Sequence, residues 1–171
     1  MGRRSGKRLS HVDAAGAARM VDVSAKPVSR RTAVARGRIW ISAAAMREVR
    51  AGRLKKGAVE EVARLAGVLA AKRTSQAIPL CHPIPLEHVR VDLTPRRDGF
   101  EIEAEVTSDA RTGAEMEALH AVSLAALCVY DMVKAVDREM TIGDVRLVTK
   151  TGGRSGEYRR SKRPAGSRKP R

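Results

Sequence analysis

The chain has 171 residues, is 43% hydrophobic but only 2% aromatic, and carries a formal net charge of +15. That length suits one domain whose core is packed from Ala, Val, Leu and Met, and no apolar run is expected to approach the roughly 20 residues that span a bilayer. Two cysteines, Cys81 and Cys128, provide no disulfide framework and fit a reducing cytosol.

Residues 1–10 contain Arg3, Arg4, Lys7 and Arg8 and no acid, and no apolar stretch follows that would make them a secretory signal. The first strand is expected over Arg31 to Ile41. Ser42 is a good N-cap for a short helix ending near Arg50, with Ala51-Gly52 as its stop. From Ala58 to about Ser75, Val59, Val62, Leu65, Ala66 and Leu69 form a helical stripe. His88 to Leu93 and Phe100 to Val106 alternate strictly about Arg96-Arg97-Asp98-Gly99, which reads as a hairpin with one polar face. Gly113 to about Val136 is a long helix, apolar nearly all round, and Ile142 to Thr149 closes as a strand. The order β-α-α-β-β-α-β contains the β-α-β-β-α-β of ferredoxin-like α+β folds, an antiparallel sheet packed against helices. Residues 159–171 hold seven Lys and Arg residues and again no acid, so most of the excess charge lies in two tails expected to be disordered, leaving +4 for the domain over residues 11–158. Solubility explains such tails. A basic protein that holds nucleic acid through them is the alternative, but no aromatic pattern of an RNA-binding sheet accompanies the charge.

Ile78-Pro79-Leu80-Cys81-His82-Pro83 places a histidine on a stiff, extended segment, because each proline fixes φ and pushes its predecessor out of the α region. A loop histidine is often incidental; this one is also well placed to be presented to a ligand. On the long helix, at about 100° per residue, Glu117, His120, Asp131 and Lys134 fall within roughly a quarter turn, while Glu115 projects elsewhere. That stripe is either a solvent edge or the lining of a pocket. Gly152, Gly153 and Gly156, with Lys150 and Arg154, would let backbone approach an anion closely without forming a Walker P-loop. His88 and His120 read as structural or surface histidines, and neither cysteine completes a zinc spacing.

Four segments in this order, Ile78 to Pro83, Thr112-Gly113-Ala114-Glu115-Met116-Glu117-Ala118-Leu119, Tyr130-Asp131-Met132-Val133-Lys134-Ala135-Val136 and Lys150-Thr151-Gly152-Gly153-Arg154-Ser155-Gly156, resemble the cyclic pyranopterin monophosphate synthase family of molybdenum cofactor biosynthesis. The resemblance runs from about Leu9 to Tyr158 and includes Met20 to Lys26 and Ala71 to Thr74. It departs at Lys55, where a histidine often precedes the lysine, and at Arg154, where lysine is common. The resemblance implies a ferredoxin-like fold and an enzyme; the residues themselves suggest a cytoplasmic one, with no cofactor or metal ligand assigned. Its small-molecule substrate would be the cyclised GTP (8S)-3',8-cyclo-7,8-dihydroguanosine 5'-triphosphate, converted to cyclic pyranopterin monophosphate with release of diphosphate. By carry-over Asp131 is catalytic, with Lys56 and Lys134 as proton-transfer or phosphate groups. Leu80, Cys81, His82, Met116, Glu117 and Glu115 would bind substrate, and Lys72, Lys26, Arg31 and Lys150 would extend the cationic surface. It also implies a hexamer arranged as a trimer of dimers, with Lys56 or the Lys150 segment facing Asp131 of a neighbour. It says nothing about the tails; from composition no membrane partner is expected, and nucleic acid is the less favoured partner.

Overall fold

The computed structural model describes residues 16–161 apart from residues 55 and 155. The basic stretch 1–10, the part of the other beyond Ser161, and Lys55 lie outside the described residues. The elements run β1 (Ser29–Trp40), α1 (Ala43–Arg50), α2 (Val59–Lys72), α3 (Thr74–Ala77), β2 (His88–Arg96), β3 (Gly99–Ala110), α4 (Glu115–Val133), β4 (Thr141–Thr151) and β5 (Tyr158–Arg159). One sheet contains all five strands in the order β2-β3-β1-β4-β5, every neighbour antiparallel. The antiparallel α+β architecture is as expected. To the β-α-β-β-α-β succession the chain adds two short helices, α1 and α3, and the edge strand β5.

Local chemistry explains most boundaries. Ser42 caps α1 by accepting from the Ala45 N–H at 3.3 Å. The hairpin pairs Arg96 with Gly99, leaving Arg97 and Asp98 as its two-residue turn. The separate helix α3 starts where the Thr74 hydroxyl bonds back to the Ala70 and Ala71 carbonyls. β5 pairs with β4 through Lys150 and Tyr158, and the Arg160 N–H donates to Val148 O at 2.8 Å, so the chain is still tied to the sheet there.

Helices cover one face of the sheet. Ala33, Ala35, Ile39, Val91, Phe100, Ile102, Ala104 and Val106 point into that layer. Ala118, Ala121, Val122, Ala125, Ala126 and Val129 of α4 meet them with almost no exposed surface. The core is therefore built from small side chains, and a run of alanines lets α4 sit close to both the sheet and α2. On the other face charges pair across strands, Arg36 with Glu103 at 2.6 Å and Arg96 with Glu101 at 2.8 Å. One expectation is corrected. At 19 residues α4 is long and apolar enough to cross a membrane by length and composition alone. Half of that stretch is buried against α2, β1, β3 and β4, which is what a central core helix needs.

Candidate active site

Two groups of polar side chains stand at opposite ends of α4. At its carboxyl end Asp131 lies between two ammonium groups. Lys56 Nζ donates to Oδ2 at 2.6 Å and Lys134 Nζ to Oδ1 at 2.7 Å. Lys134 is a helical i, i+3 neighbour, whereas Lys56 arrives on the loop between α1 and α2. Lys56 Nζ also donates to the main-chain carbonyl of Asp131 at 2.9 Å, one of the carbonyls that a helix end leaves without a partner. Bonds from Lys134 and Lys56 hold the Asp131 carboxyl down at about 2, so it is a carboxylate at any working pH. Lys56 thus reaches Asp131 within its own chain, so of the two expected alternatives, Lys56 or the Lys150 segment facing a neighbour's Asp131, the Lys150 segment is the one left.

At the amino end of α4 a cleft opens between the loop before β1, the Pro-flanked strap and the start of the helix. One part, about 500 Å³, is lined by Val21, Val23, Ile78, Leu80, Met116 and the polar groups Lys26, Cys81, His82 and Glu115. The other, about 670 Å³, gathers Lys26, Arg31, Arg111, Lys150 and Arg154 around a single acid, Glu115. The two parts share Lys26, Thr112, Gly113 and Glu115, so an apolar-walled recess leads directly into a cationic one.

Local structure sets each wall. Ser24 N–H donates to Asp22 Oδ1 at 2.9 Å and Lys26 N–H to Val23 O at 3.0 Å, turning the first loop so that Lys26 faces the cleft. The strap is anchored by Ile78 N–H to Thr74 O and Cys81 N–H to Ile78 O, and the His82 ring has no side-chain hydrogen bond among the described residues. Arg31 donates to the carbonyls of Ala110 at 2.9 Å and Arg111 at 3.2 Å, which fixes its guanidinium at the cleft wall. The Glu115 carboxylate folds back over Gly113, where a Cβ would stand 1.7 Å from it, and accepts from Lys150 Nζ at 2.6 Å.

Glu117 points inward, 2% exposed, with Oε1 facing the Cys81 thiol at 3.7 Å and Oε2 without a partner among the described residues. Burial raises the Glu117 carboxyl above its ordinary value, and burial beside Glu117 pushes the Cys81 thiol up to about 11, so Cys81 is a thiol here and no nucleophile. His120 meets the buried Thr74 hydroxyl at 3.2 Å, a structural contact. Lys72 is exposed on the last turn of α2 and lines neither part of the cleft. A further concavity on the open sheet face, about 540 Å³, is bordered by arginines and acids that already pair with one another, so it has little net attraction for an anion.

The structure thus gathers Lys26, Arg31, Leu80, Cys81, His82, Glu115, Met116 and Lys150 at one place, and Asp131, Lys56 and Lys134 at another. Glu115 and Asp131 are roughly 24 Å apart along the helix at about 1.5 Å per residue. The Glu117, His120, Asp131 and Lys134 stripe is not one pocket within the chain. Arg111 is a cleft residue that no sequence motif singled out.

A cationic recess joined to an apolar one, with a carboxylate clamped by two lysines elsewhere on the same helix, defines a protein equipped to hold an anionic organic molecule and move protons on it. The chain belongs to the MoaC family, whose model matches residues 20–153. It is 55% identical over 155 residues to the cyclic pyranopterin monophosphate synthase of Parvibaculum lavamentivorans, covering 90% of this chain and 97% of that protein. The synthase of Thermomicrobium roseum is 57% identical over 154 residues, 89% and 93% of the two chains, and that of Heliobacterium modesticaldum 55% over 152 residues, 88% and 96%.

Proposed function

We propose that this protein is a cyclic pyranopterin monophosphate synthase, which converts (8S)-3',8-cyclo-7,8-dihydroguanosine 5'-triphosphate to cyclic pyranopterin monophosphate and releases diphosphate. The reaction opens and rebuilds purine-derived rings, which needs positioned acid–base groups, and displaces diphosphate by an internal oxygen, which needs cations around the triphosphate. The observation that carries the reading is the cationic recess of Lys26, Arg31, Arg111, Lys150 and Arg154 opening beside the apolar-walled one. The recess suits the triphosphate, and the neighbouring walls of Leu80, Met116 and His82 suit the ring system. Asp131, kept ionised, orients Lys56 and Lys134 as the proton-transfer pair. The direct test is incubation with the cyclised GTP at substrate excess, following the pterin product and diphosphate. Equimolar release of both is expected, and no product from folded protein would overturn the proposal.

The distance between the two clusters supports a shared site. One chain cannot bring its own Asp131 to its own Lys150, but a second copy can supply the missing half. Leu65, 67% exposed, with Val62 and Leu69 on α2 and Leu127 on α4, also leaves apolar surface suited to another copy. We place the enzyme in the cytoplasm as a homohexamer built as a trimer of dimers. Because Lys56 and Asp131 belong to one cluster, the half-sites that must meet are the Lys150 recess of one copy and the Asp131 cluster of another. Light scattering at working concentration is expected to give an oligomer; a monomer would refute the shared site.

A further inference from the structure

Asp137 lies outside both clusters, beyond the end of α4, yet both of its carboxylate oxygens are committed to backbone. Oδ2 accepts from the Ser42 N–H at 2.8 Å and Oδ1 from the Glu139 N–H at 3.0 Å. The first bond joins the turn that follows α4 to the N-cap of α1, and the second closes that turn on itself. We propose that Asp137 is a positioning residue: it locks the helix end that carries Asp131 and Lys134 to the arm that carries Lys56, and so sets the geometry of the three. The inference rests on the reading of those three as the proton-transfer cluster.

Each side of the junction is stiff enough to transmit the constraint. On the α4 side, Lys134 N–H donates to Tyr130 O at 2.9 Å, Asp137 N–H to Val133 O at 3.2 Å, and the Tyr130 hydroxyl to Arg138 O at 3.1 Å. Lys134 is therefore held between the last helical turn and a braced turn. On the other side, Ser42 caps α1, whose Ala45 and Met46 are anchored in the core. Arg53 then closes the arm with two bonds to Glu48 at 2.7 and 2.8 Å, and Gly57 N–H donates to Leu54 O at 3.1 Å. Lys56 sits on this closed turn. Apart from Asp137, the bonds that link the two supports near the site among the described residues come from one flexible side chain, Lys56, to the Asp131 carboxylate and carbonyl, and both ion-pair side chains are about half exposed. An exposed pair of flexible side chains holds a single geometry weakly. Charged bonds to backbone N–H groups are stronger and directional, and the Asp137 carboxyl is lowered chiefly by the one to Ser42.

The test uses the full chain with cyclised GTP, comparing Asp137→Ala, Asp137→Asn and Tyr130→Phe with Asp131→Ala, each assayed well below its own melting temperature. Asp137→Ala is expected to lower kcat at least about ten-fold while KM moves less than about two-fold, since misplacement slows the chemistry and the phosphate recess is at the far end of α4. Asp137→Asn keeps one acceptor oxygen and is expected to recover part of that loss. Tyr130→Phe, which frees the same turn less completely, is expected to fall between Asp137→Asn and the parent. A merely structural Asp137 would lower the melting temperature and leave kcat of the folded protein unchanged. If Asp137→Ala does not fold, Asp137→Asn alone decides: unchanged kcat overturns the inference. If Asp131→Ala has lost activity while both Asp137 variants keep theirs, the positioning role is wrong and the cluster stands. If Asp131→Ala is itself near normal, the cluster reading fails and the inference with it.

Discussion

Gly153→Ala is the substitution whose consequences can be worked furthest from the geometry. Gly153 has φ +73°, and a Cβ there would stand 2.2 Å from an Arg31 guanidinium nitrogen. A left-handed alanine costs about 1–2 kcal/mol. The contact is relieved by swinging the guanidinium away, which gives up its bonds to the Ala110 and Arg111 carbonyls. At a partly exposed position those charged bonds are worth together about 1–2 kcal/mol. The sum, about 3 kcal/mol, corresponds to a melting temperature lower by roughly 6–12 °C for a chain of this size. Arg31 would then be displaced from the cationic recess. Losing one charged contact of about 1.4 kcal/mol raises KM roughly ten-fold, with kcat little changed because the Asp131 cluster is remote. Steady-state kinetics beside a thermal melt read both effects. Gly152→Ala is the control: its Cβ would meet the Arg30 carbonyl at 2.1 Å, where only backbone can give way, so stability should fall further. A Gly153→Ala protein with the expected loss of stability and an unchanged KM would remove Arg31 from the substrate site.

Other substitutions separate the remaining roles. Asp131→Asn and Lys134→Ala are each expected to lower kcat about 100-fold or more in a folded protein, and near-normal rates from both would reduce the cluster to a solvent ion pair. His82→Ala should weaken binding or turnover with little change in melting temperature, as a half-buried ring without side-chain hydrogen bonds among the described residues predicts; a large loss of stability with normal kinetics would make His82 structural. Glu117 has a folded-state pKa above its ordinary 4.5. Between those two values the folded state binds more protons than the unfolded one, so stability rises as pH falls through that window. Glu117→Gln should flatten that slope in melts from pH 7 to pH 5, and an unaltered slope would place the effect on another group.

The periodicities read well where one physical rule dominates. The hairpin turn, the Ser42 cap and the alternation around Phe100 depend on neighbours in sequence, and the structure has them within a few residues of expectation. β5 escaped notice because Tyr158–Arg159 is two residues in a basic stretch, and only the partner strand makes it a strand. A helical projection set Glu117 and Asp131 in one arc of α4 but carries neither burial nor axial distance, so it merged a buried carboxyl beside Cys81 with an exposed one beside Lys56. The Lys56–Asp131 pair joins residues far apart in sequence, across a loop whose path depends on α1 docking Met46 into the core. No local pattern encodes that. The motifs of the cleft were legible because four segments each carry an unusual residue order, whereas Arg111 is an ordinary cation next to one of them.

The central claim is that catalysis requires the Lys150 recess and the Asp131 cluster to meet across two copies of the chain. Mixing Lys150→Ala with Asp131→Ala protein under conditions that exchange subunits tests it most directly. Each mixed pair then contains one site with both halves intact, so about a quarter of all sites should be restored at equal mixing. The account predicts that cyclised GTP is converted by the mixture at a rate approaching that fraction of the parent, while each variant alone is nearly inactive. No product from a mixture whose subunits have demonstrably exchanged would contradict it.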